Sequence, residues 1–157
     1  MKLTTVVVSQ RPPQWAQAAF DDYAKRLGAD WHLDVKTVKP ADRQAGKPAS
    51  QNMAIEAERI DTALKNVPGI RIALDEQGKS LTTEAFLALI QAQYETHGGV
   101  IFIVGGADGL DPKLKAACPL KIQLSAMTLP HALVKVLLAE QIYRAYSIAS
   151  GHPYHRI

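Results

Sequence analysis

Val100-Ile101-Phe102-Ile103-Val104-Gly105-Gly106-Ala107-Asp108-Gly109 is the stretch whose reading decides the fold. A continuous apolar run with no polar alternation marks a strand buried on both faces, the pattern of parallel sheets covered by helices on each side. The glycine turn then falls at the carboxyl end of that strand, which is where open α/β sheets hold their ligands. Glycine lets backbone approach a ligand closely because it carries no Cβ.

Outward from this strand the hydrophobic period alternates between two and 3.6. Residues 3–8 read as a buried first strand, 14–27 as a helix with Trp15, Ala18, Ala19, Tyr23 and Leu27 at helical spacing, and His32 to Val38 as a half-buried strand. Lys39 to Pro48, rich in proline, glycine and charge, reads as the one flexible loop. Ser50 to about Asn66 is a helix stopped near Pro68-Gly69, and Ile70 to Leu74 a strand ending on Asp75. Thr82 or Thr83 caps the next helix, with Glu84 in its first turn where the helix dipole favours negative charge. Asp111-Pro112 is a cap followed by an N1 proline, and residues 121–125 form a last short strand. The final helix, about Ala132 to Ala149, reads as amphipathic: Val134, Leu137, Leu138, Ile142, Ala145 and Ile148 lie on one side, Glu140, Tyr143, Arg144 and Ser147 on the other. Strands alternating with helices predict an α/β domain over residues 1–157, with a mostly parallel sheet and helices on both faces.

Composition limits the function classes. At 157 residues and 47% hydrophobic, the chain can bury a core without staples. A single cysteine, Cys118, forms no internal disulfide and has no zinc-ligand spacing around it, which predicts a reducing cytoplasm. The N-terminal apolar run turns polar at Ser9-Gln10-Arg11 and reads as a strand, not a signal sequence, and no stretch approaches the roughly 20 apolar residues that span a bilayer. A net charge of +3 suits a polyanionic partner if the charge is clustered. Arg11, Lys36, Lys39, Arg43 and Lys47 are candidates for one cluster, Lys135, Arg144 and Arg156 for another.

Three strand-end loops are candidates to converge on a small ligand: Leu74 to Gly78, Gly105 to Gly109, and Ser125 to Leu129. The glycine spacing and its late position do not match a dinucleotide fingerprint, and no Gly-Lys-Ser or Gly-Lys-Thr follows for a phosphate loop. His131, His152 and His155 have no cysteine or carboxylate partner at metal-ligand spacing, and Ser125 lacks the strained Gly-x-Ser-x-Gly elbow of a hydrolase. The tail is chemically dense: Tyr154 can stack on a base, Arg144 and Arg156 can meet phosphate, and His155 belongs to the residue type that moves protons near neutral pH. These residues alone leave open an enzyme acting on RNA and a non-catalytic nucleotide- or RNA-binding α/β module.

Leu74-Asp75, the loop Ile103 to Leu110, the run Leu124-Ser125-Ala126-Met127-Thr128-Leu129-Pro130-His131, the segment Glu140-Gln141-Ile142-Tyr143-Arg144-Ala145 and the ending His152-Pro153-Tyr154-His155-Arg156 together resemble the RlmH family, small bacterial SPOUT-superfamily methyltransferases that modify 23S ribosomal RNA. The resemblance covers essentially the whole chain. It implies a C-terminal deep trefoil knot, a rare exception to ordinary chain topology. It also implies a homodimer, S-adenosylmethionine as methyl donor without a metal, and methylation of N3 of a pseudouridine in the helix 69 loop on assembled 70S ribosomes. Carried over residue by residue, the donor contacts fall on Leu74, Gly105, Leu124, Ser125, Ala126, Met127, Thr128 and Leu129. The resemblance further implies a composite pocket, the tail of one subunit reaching the donor site of the other. There Tyr154 meets the target base, Arg144 and Arg156 handle phosphate or uracil carbonyls, Glu140 orients Arg144, His155 accepts the proton and His131 shapes the wall. Where the family usually has a glycine after the first strand this chain has Ser9, followed by Arg11-Pro12-Pro13, so no substrate contact is assigned to that loop.

Overall fold

The computed structural model describes residues 1–156. Strand β1 (Lys2–Val8), helix α1 (Gln14–Lys25), β2 (His32–Val38), α2 (Ala49–Leu64), β3 (Ile70–Ser80), α3 (Thr83–His97), β4 (Val100–Val104), α4 (Pro112–Ala117), β5 (Leu120–Gln123) and α5 (His131–Ser150) follow in strict alternation. The strands form one sheet in the order β2-β1-β4-β3-β5, every neighbouring pair parallel.

β4 shows why its apolar run is unbroken. All five of its residues are buried. Val100 and Phe102 pack into one core with Phe20 of α1, Phe86 and Ile90 of α3 and Leu138 and Ile142 of α5. Ile101 and Ile103 face the other way, against Ile60 and Leu64 of α2 and Leu114 of α4. Helices therefore cover both faces of the sheet. Each fully buried side chain of this size is worth about 1.5–3 kcal/mol.

Local chemistry sets the helix starts. Thr82 Oγ1 accepts from Ala85 N at 3.1 Å, and Asp111 Oδ2 accepts from Lys113 N at 3.0 Å and Leu114 N at 3.2 Å, with Pro112 in the first turn. Both caps satisfy donors that a helix N-terminus otherwise leaves open.

Four expectations change. β3 does not end on Asp75 but runs to Ser80: Leu74 and Lys79 both pair with Ile122, so the residues between them form a bulge. The polar run Asp75-Glu76-Gln77-Gly78 reads locally as a turn, yet β5 takes up the ladder again beyond it. Bulges of this kind concentrate beside functional sites. α5 is not amphipathic, because it lies between α1 and α3 and also touches β1 and β4. Tyr143 and Ser147, expected on its polar side, are buried, while Leu137 is exposed. On α1 the buried residues are Ala16 and Phe20, with Trp15 left 55% exposed. Finally, the Lys39–Pro48 segment is a loop, as expected, but its start is tied to α2: Arg59 Nη1 donates to the carbonyls of Lys39 and Pro40 at 2.8 Å, and Ala41 N donates to Glu56 Oε2 at 3.0 Å.

Candidate functional site

The three strand-end loops meet around a cavity of about 340 Å³, within the range that small-molecule ligands occupy. Leu74, Gly105, Leu124, Ser125, Met127, Thr128 and Leu129 line it, as does His131 at the start of α5. Of the expected donor contacts only Ala126, an exposed residue, lies off the cavity.

Each loop is fixed locally. Gln123 Nε2 donates to the Glu76 carbonyl at 2.8 Å, fastening the β3 bulge to the end of β5. Met127 N donates to Ser125 Oγ at 2.9 Å, closing a tight turn that leaves Met127 at the rim. A Cβ at Gly105 would stand 2.9 Å from the Gly109 carbonyl carbon and 3.1 Å from Leu110 Cδ2, so glycine here is what lets the two sides of the loop approach so closely.

Lys115, which the sequence did not single out, joins Asp75 in completing the wall. Lys115 Nζ lies 3.3 Å from Asp75 Oδ2, and both residues line the cavity. No local motif announces this pair, because it is the crossover through α4 that carries Lys115 over the β3 bulge.

The tail residues assemble elsewhere. α5 ends on Gly151, whose φ of +72° places it in the left-handed region where side chains are disfavoured, and the chain folds back along the helix. Tyr154 Oη then donates to Glu140 Oε1 at 3.1 Å. Arg144 donates to the same oxygen from Nε at 2.9 Å and Nη2 at 2.5 Å, and Gln141 Nε2 donates to Oε2 at 2.8 Å. The Tyr154 ring packs 4.5 Å from Tyr143, centroid to centroid, with the Arg144 guanidinium 4.9 Å over it. Burial pushes the Tyr154 phenol up to about 12, helped by hydrogen bonding with Tyr23 and Glu140. The bond to Glu140 also raises the Arg144 guanidinium. His155 Nε2 sits 3.5 Å from Glu84 Oε1, but neither ring nitrogen has an aligned hydrogen-bond partner among the described residues. Arg156 is exposed.

None of Glu140, Arg144, Tyr154 or His155 lines the cavity. At 1.5 Å per residue, Glu140 stands about 13 Å further along α5 than His131. A single chain thus carries a ligand cavity and a separate aromatic, acidic and cationic cluster.

The expected second basic cluster is not a cluster. Lys135 is buried, its Nζ donates to Gln17 Oε1 at 2.9 Å and lies 5.5 Å over the Phe20 ring, and burial lowers its pKa against a small opposing pull from Asp21. Arg43 of the other group is engaged with Asp108 at 2.5 Å. Cys118 is buried where α4 meets β5, its thiol pushed up by burial. No helix among the described residues is long and apolar enough to cross a membrane.

A parallel α/β sheet whose late strand-end loops enclose a ligand cavity beside its last helix is the architecture of a small-ligand-binding α/β enzyme. Comparison with known proteins makes this specific. A family model described as "Predicted SPOUT methyltransferase" matches residues 1–155. Ribosomal RNA large subunit methyltransferase H of Bordetella pertussis (strain Tohama I) is 52% identical over 157 residues, 99% of each chain. Among solved structures, TrmJ from Z. mobilis ZM4 superposes with a TM-score of 0.59 at 18% identity, covering 92% of this chain and 70% of that one. The putative methyltransferase Lpg2936 from Legionella pneumophila, solved with bound SAM, gives 0.52 at 10% identity, covering 95% and 66%. The chain belongs to the SPOUT methyltransferases and, within them, to the RlmH family.

Proposed function

We propose that this chain is a single-domain, S-adenosylmethionine-dependent enzyme that methylates N3 of a pseudouridine in the helix 69 loop of 23S ribosomal RNA. It acts on assembled 70S ribosomes in the cytoplasm as a homodimer, with its C-terminal half knotted. The observation that carries this reading is the convergence of Leu74, Gly105 and the Leu124–Leu129 loop on one cavity, in a chain matched end to end by the family. The name of the Bordetella pertussis relative and the SAM bound by Lpg2936 support the reaction and the donor.

The cavity suits that donor. Its walls offer backbone polar groups and the Asp75–Lys115 pair, opposite charges facing a ligand that carries an ammonium, a carboxylate and a sulfonium. When bound, S-adenosylmethionine supplies an electrophilic methyl group. What remains for the protein is to align the base and accept its imino proton.

Tyr154 stays a neutral phenol far above neutral pH, so its role is to stack or hydrogen-bond, not to act as base. Glu140 is occupied by Arg144, Gln141 and Tyr154 and orients the first of these. His155, whose ring nitrogens have no aligned hydrogen-bond partner among the described residues and whose Nε2 faces Glu84, takes the N3 proton as the methyl arrives. Arg144 and Arg156 meet phosphate or the uracil carbonyls. Because cavity and tail lie apart within one chain, the complete site forms when the tail of one protomer reaches the cavity of its partner, as a two-fold dimer does twice over.

Calorimetric titration with S-adenosylmethionine, beside NAD as control, tests the donor reading. Saturable binding of the first alone supports it, and a preference for NAD overturns it.

A further inference from the structure

The glycine loop of the cavity is fastened to a part of the chain that the proposed reaction does not use. Arg43, in the Lys39–Pro48 segment, has Nη1 2.5 Å from Asp108 Oδ2 and Nη2 4.0 Å from Glu56 Oε2. The same Glu56 oxygen accepts from Ala41 N at 3.0 Å. Glu56 lies on α2 and is only 2% exposed. Its other oxygen, Oε1, has no hydrogen-bond partner among the described residues. That oxygen lies beside Gly106, where a Cβ would stand 3.1 Å away. Asn52 Oδ1, one turn earlier on the same face of α2, is likewise buried and unpartnered. A buried carboxylate oxygen without a donor is costly, and native structures keep such groups for a reason.

We propose that Glu56 is a positioning residue for the methyl-donor site: through Arg43 and Asp108 its carboxylate holds the Gly106–Asp108 turn in the donor-binding geometry, its unpartnered oxygen is left beside Gly106 to meet that turn when the donor is bound, and the same Arg43 link makes the Lys39–Pro48 segment respond to donor occupancy. This rests on the donor reading of the cavity. The coupling is reciprocal, so whatever orders residues 40–43 also favours the donor. The segment carries Lys39, Arg43 and Lys47, so the device ties a cationic surface loop to the loaded state of the pocket.

The sequence provides a clean probe. Lys39 and Lys47 each precede proline and resist trypsin, which leaves Arg43–Gln44 as the one good tryptic bond in the segment. Trypsin cleavage at that bond, read as the mass of the 1–43 fragment, is to be followed with and without saturating S-adenosylmethionine. Wild type, Glu56→Gln and Arg43→Lys are compared, the last keeping charge and cleavage site but losing the guanidinium fork. Donor KM and kcat are measured on ribosomes in parallel.

The donor slows cleavage of wild type by about fivefold or more, the low end of ordinary coupling. In both variants protection falls below about twofold and donor KM rises by about tenfold, with kcat at saturating donor within about twofold. A merely structural residue would lower the melting temperature without splitting KM from kcat or removing protection. Should Glu56→Gln fail to fold, the exposed Arg43→Lys change carries the test alone. Variants with wild-type donor KM and wild-type protection overturn the proposal. Failure of wild type itself to bind S-adenosylmethionine overturns the donor reading beneath it, and the wild-type arm reports that separately.

Discussion

Tyr154 Oη donates to Glu140 Oε1 across 3.1 Å, which folds the tail of the chain onto its own last helix. The bond joins two residues that sequence reading placed in the reaction, and it does so away from the cavity that the three strand-end loops enclose. It also gives the tail a titration signature. The phenol, ordinarily near 10, is raised to about 12 in the folded chain, so the folded state holds its proton more tightly than the unfolded state does. That contribution to stability is complete below pH 10 and is lost as pH rises toward 12. Tyr154→Phe removes it. Urea denaturation at a series of pH values is expected to show wild type more stable than the variant at pH 9, with the gap closing between pH 10 and 12; a gap constant across that window contradicts the assignment.

Gly105 can be tested by volume alone. Gly105→Val must displace the Gly109 carbonyl or the Leu110 side chain, both within 3.1 Å of the new Cβ. Overpacking of this kind costs about 1–3 kcal/mol of stability, and displacement of the loop that lines the cavity is expected to weaken donor binding by about 10- to 100-fold, about 1.4–2.7 kcal/mol. Calorimetry on the folded variant measures it.

A composite site makes a prediction that a site within one chain does not. His155→Ala alone is expected to lower the single-turnover rate on ribosomes by about 100-fold or more, the usual worth of a general base. Co-refolding it with Gly105→Val, and assaying at a donor concentration that the weakened cavity does not bind, pairs one intact cavity with one intact tail in each mixed dimer. Random mixing then restores about a quarter of wild-type activity, since half the dimers are mixed and each has one working site. Restoration near zero places cavity and tail function in the same chain.

Lys135 tests the revised charge map. Its amine is buried on Gln17 and Phe20, not displayed to solvent. Lys135→Met keeps the length and removes a desolvated charge, so stability changes by less than about 1 kcal/mol or rises. Ribosome affinity, measured by co-sedimentation, stays at the wild-type value.

Much of this was legible in the chain. The apolar run Val100 to Val104 announced a strand buried on both faces, and Thr82, Asp111 and Pro112 announced helix starts, because these signals are local and act through one or two turns of backbone. The strand-end loops could be named as a group because parallel sheets put ligands there. What the chain hid depends on tertiary neighbours. α5 looked two-sided because side-chain polarity predicts one buried face, whereas packing between two helices and a sheet buries Tyr143, Ser147 and even Lys135. β3 looked finished at Asp75 because the resumption of pairing depends on β5, far away in sequence. The Asp75–Lys115 and Arg43–Asp108 pairs were invisible for the same reason.

Methyl transfer to ribosomal RNA is tested on the ribosome itself. Purified protein is incubated with S-adenosylmethionine labelled in the methyl group and with 70S ribosomes lacking the modification, then naked 23S RNA is treated in parallel and the label is mapped by nuclease digestion and mass spectrometry. The account predicts stoichiometric label on N3 of a helix 69 pseudouridine in ribosomes and little in naked RNA. Unlabelled ribosomes, or label on another nucleotide, would contradict it.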